Sequence, residues 1–377
     1  MHDFALVTLF TLGSLGHVAL WTILFNRLHT IPWPRRRLKL FERFIELVVI
    51  LGLLAAVWWY LTATNYESTV VLGYAIVCWL VLLRTVVLWW DVESKRRNPS
   101  QLESNDTRVV DVRELTSEPL VAGEMARWLM RIPGNQVQQI AIQEKTIRIP
   151  GLPPPLDGLA IVHLSDLHYT GRQTVTYFQH LVELTNQLDA DLIAITGDIV
   201  DKAHCIPWIP ETLGRLQARH GCYFILGNHD KRVDERVLRG QLVESGLVDV
   251  AQESARIVVN EVSIEILGNE MPWFDPPQSP SHEGADFRVL LSHTPDQIRW
   301  AQSQAIHLML AGHTHGGQIC FPLIGPIISP SRFGTRYASG LFYEPPTILH
   351  VSRGISGVHP IRLNCPPELA KLVLRPA

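Results

Sequence analysis

Paired cysteine is what this chain most plainly lacks. Its five cysteines, Cys78, Cys205, Cys222, Cys320 and Cys365, are odd in number and form no C-x-x-C. Neither a disulfide framework nor a zinc knuckle is indicated, and a reducing compartment is the simple reading. A strong charge bias is lacking too: 33 basic against 36 acidic residues leave a net charge of -3. The basic clusters lie beside apolar runs in the first quarter rather than in the second half, so a nucleic-acid partner is not suggested. The first apolar run has no basic leader and no small-residue cleavage site, which argues against a signal peptide. Arg36-Arg37 ahead of an apolar segment loosely resembles a twin-arginine export signal. It sits behind an earlier run, however, and Glu42 and Glu46 separate it from the apolar core, which disfavours export.

Long apolar runs are what the front of the chain does have. Phe4 to Phe25, Phe44 to Thr64 and Thr69 to Trp90 are overwhelmingly apolar, and ~20 residues at about 1.5 Å each cross a hydrocarbon core ~30 Å thick. Residues 1–90 therefore read as a membrane region of three transmembrane helices. Arg27, Arg35, Arg36, Arg37, Lys39 and Arg43 follow the first run, Lys95, Arg96 and Arg97 follow the third, and Asn65 to Ser68 carries no basic residue. By the positive-inside rule the amino terminus lies outside and the rest of the chain is cytoplasmic, in a cell (inner) membrane. Trp58, Trp59 and Tyr60, and Trp89 and Trp90, fit aromatic belts, and Arg84 is placed to snorkel to the interface.

Residues 91–144 form a charged, mixed connector without repeats. Within it Val121, Met125, Trp128 and Leu129 recur at helical spacing, a stripe for the bilayer surface or for packing on a neighbouring domain. Pro150 to Pro155 reads as a stiff extended lead-in. Beyond it come short apolar runs typical of covered strands: Leu159 to Leu164, Leu192 to Thr196, Tyr223 to Leu226, Val289 to Leu291 and Ile306 to Leu310. Helical faces fall between the early ones, one with Phe178, Leu181, Val182 and Leu188, another with Val237, Leu238, Leu242 and Val243 that Gly246 closes. Strand-helix alternation implies sheets flanked by helices, with polar groups just past the strand carboxyl ends gathered along one edge.

Each strand is followed there by a block of metal-binding types. These are Asp166-Leu167-His168, Gly197-Asp198, Gly227-Asn228-His229-Asp230, Ser292-His293-Thr294 and Gly312-His313-Thr314-His315. Carboxylate, amide oxygen and imidazole together suit divalent manganese, iron or zinc. Two such ions against two aspartates leave positive charge for an anionic phosphate ester. The lone histidines His163, His307 and His350 read instead as packed, hydrogen-bonded residues.

The order D-x-H, G-D, G-N-H-[DE], H, G-H-x-H resembles the calcineurin-like metallophosphoesterases, over residues 145–377. The resemblance implies an α/β (α+β) sandwich of two mixed sheets flanked by helices, preceded here by the transmembrane region. It also implies two divalent metal ions, Mn2+, Fe2+ or Zn2+. Asp166, His168, Asp198 and His315 would hold one, and Asp198, Asn228, His293 and His313 the other, with Asp198 shared. His229 would be the catalytic imidazole and Asp230 its orienting partner.

Past the last pair, Gly334-Thr335-Arg336-Tyr337 and Val351-Ser352-Arg353-Gly354 resemble the membrane-associated bacterial branch of that family, which includes UDP-2,3-diacylglucosamine pyrophosphatases of lipid A synthesis. Arg336, Arg353 and Arg362 are either phosphate contacts or partners of acidic side chains. The expectation is a phosphorylated, amphiphilic substrate cleaved at a phosphodiester or pyrophosphate bond. A general phosphodiesterase and a metal-binding membrane scaffold without turnover are the alternatives.

Overall fold

The computed structural model describes residues 2–62, 69–97, 99–277 and 284–377. The connection expected at Asn65 to Ser68, and the side chains of Phe4, Arg35, Lys95, Arg96 and Arg97, lie outside the described residues. Two compact units emerge, one built on the first three helices together with Pro330–Arg336 and one on the rest.

The first unit holds α1 (His2–Leu28), α2 (Arg35–Thr62) and α3 (Thr69–Arg97), each long and apolar enough to cross a membrane. Its side chains are arranged inside out. Leu47, Ile50, Leu54 and Leu80 point outward, while polar pairs such as His17 Nδ1 and the Tyr74 hydroxyl, 2.5 Å apart, lie between helices. A Cβ at Gly16 would stand 2.1 Å from the Cys78 carbonyl oxygen, so glycine is what lets α1 and α3 approach. The basic cluster expected in a loop rides largely on the first turns of α2, because Arg and Lys are good helix formers and Pro34 suits a helix start.

The second unit is a two-sheet sandwich. In chain order its elements are β1 (Leu102–Asp111), α4 (Glu124–Leu129), β2 (Gln139–Ile149), β3 (Ala160–Leu164), α5 (Val175–Asn186) and β4 (Leu192–Thr196). Then follow β5 (Cys222–Ile225), α6 (Glu235–Glu244), β6 (Val248–Asp249), β7 (Ala255–Val259), β8 (Val262–Asn269), β9 (Phe287–Ser292), α7 (Ile298–Ser303) and β10 (Leu308–Ala311). The last are β11 (Cys320–Phe321), β12 (Gly325–Pro326), β13 (Gly340–Glu344), β14 (Thr347–Val351) and β15 (Glu368–Pro376). One sheet runs β1-β2-β15-β3-β4-β5-β6 and the other β13-β14-β10-β9-β8-β7. Both are mixed: β3 to β6 are parallel and so are β8, β9, β10 and β14, with antiparallel pairs toward the edges and at β15-β3.

Ile161, Ala194 and Ile225 from one sheet meet Ile264, Leu291 and Leu310 from the other in the inner core. On the outer face of the seven-stranded sheet, α5 buries Tyr177, Phe178, Leu181 and Val182. α6 buries only Leu238 and Leu242. Val237 and Val243, expected on the same face, are 55% and 52% exposed, because one helical turn aligns positions four apart and leaves their neighbours at the flanks. Gly246, at φ +92°, does close that helix, with Leu247 N–H donating to the Leu242 carbonyl.

The stretch expected to be a connector is part of the sandwich. β1 and β2 pair antiparallel, and Ala141–Ile149 of β2 pairs parallel with the whole of β15, so a fragment begun at residue 145 would cut through β2. β1 carries no alternating apolar pattern, because most of its residues Leu102–Asp111 are polar and exposed on a sheet edge. The amphipathic stripe shrinks to the six residues of α4, with Met125 52% and Trp128 61% exposed. Pro150 to Pro155 makes turns and opens a short 3-10 helix rather than an extended strap.

Candidate active site

Five parallel strands deliver the site. β3 ends into Asp166 and His168, β4 into Asp198, β5 into Asn228 and His229, β9 into His293, and β10 into His313 and His315. Asp166, His168, Asp198, His313 and His315 sit at φ +53°, +48°, +54°, +71° and +53°. Left-handed backbone at non-glycine residues costs about 1–3 kcal/mol each and collects where function demands it. Two neighbouring positions admit no side chain at all. A Cβ at Gly227 would come within 2.3 Å of Asp198 Oδ1, and one at Gly312 within 1.8 Å of Ser165 Oγ.

The donor atoms form two groups that share Asp198. Asp166, His168, Asp198 and His315 make one, and Asp198, His293 and His313 the other, each compact enough to hold an ion. His168 Nε2 lies 3.5 Å from Asp198 Oδ2 and 3.1 Å from His315 Nε2, and His315 Nε2 is 3.4 Å from Asp166 Oδ1. On the other side His293 Nε2 lies 3.3 Å from Asp198 Oδ1, 3.0 Å from Asn228 Oδ1 and 3.2 Å from His313 Nδ1.

These groups fit divalent cations. His293 Nδ1–H donates to the Thr196 carbonyl at 2.8 Å, and His168 Nδ1 pairs with Asp201 Oδ2 at 2.7 Å. Each ring thus turns its Nε2 lone pair toward other acceptors, an arrangement that calls for a cation. Burial of His293 opposes a second proton, but the Asp198 carboxylate outweighs it and pushes the ring up to about 9. Burial and the facing His293 hold His313 well below the imidazole range, and its buried Nε2 finds no hydrogen-bond partner. Burial favours a neutral Asp198 as well, yet His293, His229 and His168 hold its carboxyl well below the usual range.

The hydrogen-bond support of Asp166 reaches deep into the sandwich. The Lys145 ammonium donates to Glu368 at 2.6 Å and to His350 Nε2 at 2.9 Å. With that nitrogen accepting, His350 Nδ1–H donates to His163 Nδ1 at 2.9 Å, and His163 Nε2–H donates to the Thr196 hydroxyl at 2.9 Å. Thr196 then donates to Ser165 at 2.8 Å and Ser165 to Asp166 Oδ2 at 2.7 Å. Burial keeps both rings neutral, with His163 well below its ordinary value and His350 pushed down to about 4. Every link therefore donates one way, from a cation toward a carboxylate. His163 and His350 are packed, bonded residues as expected, and so is His307, whose Nδ1 accepts from the Arg288 N–H at 3.1 Å.

Asp230 does not orient His229. Its buried carboxylate accepts from the backbone N–H groups of Ile199, Val200 and Gly227 at 2.9, 2.7 and 2.8 Å, clamping the β4 and β5 loops together. Burial and the nearby Asp198 push it up to about 7. The orienting carboxylate is Asp201, whose Oδ1 accepts from His229 Nδ1 at 2.8 Å while Oδ2 serves His168. His229 and Asp230 start a 3-10 turn in which consecutive side chains diverge, whereas Asp201 lies in the loop after β4 with Asp198. A second carboxylate behind Asp198-Ile199-Val200 was the available signal. Arg232 completes the group, pairing with Asp201 and reaching His229 Nε2 at 3.1 Å. Burial holds His229 below the ordinary imidazole value against the pull of Asp198 and Asp201.

The three arginines sit in different surroundings. Arg362 is fully buried and donates to the carbonyls of His315 at 3.0 Å, Arg353 at 2.6 Å and Ser356. It props the His315 loop. Arg353 Nε pairs with Glu368 at 3.1 Å, the acidic alternative. Arg336 is exposed in the 3-10 turn Gly334–Tyr337.

Asp201→Asn is expected to weaken metal binding or turnover about 10- to 100-fold, because it unseats His168 and His229 together. Asp230→Asn is expected to lower Tm first, since an amide donor would face a backbone N–H. Metal content, kcat and Tm of the two purified variants check this. A larger loss of turnover per bound metal in Asp230→Asn would reverse the assignment.

Comparison with known proteins agrees with this geometry. The family model for calcineurin-like phosphoesterases matches residues 159–317. The uncharacterized metallophosphoesterase YkuE of Bacillus subtilis is 31% identical over 63% of this chain and 86% of its own length. Phosphodiesterase YaeI of Escherichia coli is 29% identical over 57% of this chain and 81% of its own. A bovine transmembrane protein with a metallophosphoesterase domain is 28% identical over 70% of this chain and 64% of its own. With its sandwich, its His/Asp cluster and these relatives, the chain belongs to the calcineurin-like metallophosphoesterases, a family of metal-dependent phosphoric-ester hydrolases.

Proposed function

We propose that the chain is a membrane-anchored phosphoesterase that cleaves a phosphodiester or pyrophosphate bond in an amphiphilic substrate, the pyrophosphate of UDP-2,3-diacylglucosamine in lipid A synthesis being the best fit. The carrying observation is Asp198, whose two oxygens face separate imidazole groups, His168 at 3.5 Å and His293 at 3.3 Å. Asp166, His168, Asp198 and His315 would hold one divalent ion and Asp198, Asn228, His293 and His313 the second, Mn2+, Fe2+ or Zn2+ by donor type. Two bound ions would supply positive charge to the phosphate oxygens and lower the pKa of a bound water. The chain's own residues do the rest. His229, its Nδ1–H held by Asp201, faces the leaving group, and its Nε2 stabilises or protonates the departing oxygen once the ring carries a second proton there. Arg232 adds positive charge at the same edge.

The lipid part of the reading rests on three apolar helices in the same chain as an intact site. The second reading, a general metal-dependent phosphodiesterase, is favoured by the likeness to phosphodiesterase YaeI. Assay of the full chain against nucleotide-linked lipids, free nucleotides, simple diesters and phosphomonoesters separates them. The first reading expects the highest kcat/KM on a lipid-linked nucleotide pyrophosphate; no preference over simple diesters favours the second.

Topology is proposed from charge. The basic residues after α1 and at the end of α3 put the amino terminus outside and the catalytic unit in the cytoplasm. A reporter fused after Ala377 is expected to give a cytoplasmic signal, and a periplasmic one would overturn the orientation.

A further inference from the structure

Directly after His315 the chain turns apolar. From Gly316 to Ser331 it carries no charged residue, and within that stretch β11 and β12 pair as a small hairpin, Cys320 opposite Pro326 and Phe321 opposite Gly325. The base is fixed. A Cβ at Gly317 would stand 2.4 Å from Pro326 Cβ, Cys320 N–H donates to the Leu363 carbonyl at 2.9 Å, and Asn364 Nδ2 donates to the Cys320 carbonyl at 3.0 Å. Phe321 is 48%, Leu323 89% and Ile328 52% exposed. Water-soluble surfaces scatter such residues singly, whereas a contiguous, uncharged group on a rigid support marks a surface meant to be buried.

We propose that this hairpin dips into the lipid bilayer and holds the His315 side of the active site at the membrane surface. Three observations favour lipid over a protein partner. The same chain carries three helices apolar enough to cross a membrane. Only residues 98–101 lie between α3 and β1, a tether of at most ~15 Å at about 3.5 Å per residue, so the catalytic unit cannot leave the bilayer that anchors the helices. The hairpin also offers phenylalanine, leucine and isoleucine without charges to fix a partner's register, as interfacial anchors do. Its first strand begins five residues after His315, so its depth sets how far a headgroup must rise to reach the imidazole cluster. The inference goes beyond the substrate reading, because depth is measured without any substrate.

The test places a single fluorophore at the tip. In the full chain with Cys320→Ser, Leu323→Cys is labelled with an environment-sensitive dye and reconstituted into phosphatidylethanolamine and phosphatidylglycerol vesicles; the other four cysteines are buried. Unchanged hydrolysis of a soluble chromogenic phosphodiester certifies folding, and Phe321→Cys and Ile328→Cys provide independent positions. The expected result is blue-shifted emission, quenched several-fold more by nitroxide-bearing phospholipids than by aqueous iodide. Quenching by iodide with indifference to nitroxide lipids would overturn the proposal. A shielded signal indifferent to both, lost when vesicles are diluted to one chain each, would also overturn it by assigning the face to a second copy.

Discussion

Asp198→Ala is expected to lose most bound metal and essentially all hydrolysis. Its carboxylate stands between both groups of donors, Oδ2 toward His168 and Oδ1 toward His293, and it also accepts from the His229 N–H at 2.7 Å. Removing it takes a ligand from each ion and the negative charge that offsets them. His168→Ala, which strips one group alone, is expected to retain about one ion per chain. Elemental analysis of the purified variants decides the matter. Wild-type metal content with preserved activity in Asp198→Ala would end the bridging assignment.

His229→Ala is expected to leave metal content unchanged and to lower turnover by ~10²- to 10⁴-fold, the range for groups that exchange a proton with the reacting atoms. The geometry sharpens this. His229 gives Nδ1–H to Asp201 and turns Nε2 toward Arg232, and burial favours the neutral ring, so the acid role requires a second proton on Nε2, and leaving-group dependence tells it from electrostatic stabilisation. If His229 protonates the departing oxygen, a diester with a much better leaving group loses far less in the variant. Equal losses on good and poor leaving groups assign electrostatic stabilisation in place of proton transfer.

The strands and the gathering of metal-binding residues at their ends were legible in the sequence, because covered parallel strands are continuous apolar runs and chain direction puts their carboxyl ends together. The apolar run Leu192–Thr196 coincides with β4, and the other site strands differ from their apolar runs by one or two residues at their ends. What escaped depended on contacts distant in the chain. β1 has no apolar pattern to betray it, since it is an exposed edge whose pairing with β2 is made by backbone hydrogen bonds. Asp230 was read as the partner of His229 and Asp201 was missed for a similar reason: their roles depend on which way each side chain leaves a turn, a matter of backbone angles that spacing does not encode. Arg362 looked like a phosphate ligand by type, yet the tail folds it under the His315 loop.

The most direct test of the central claim is a metal titration. The full chain, stripped with a chelator, is titrated with Mn2+ or Zn2+ while hydrolysis of a chromogenic phosphodiester and bound metal are followed together. The account predicts no turnover in the stripped protein and activity that reaches its plateau as bound metal approaches two ions per chain. Full activity in the presence of chelator, or a plateau reached at one ion with no further binding, would contradict it.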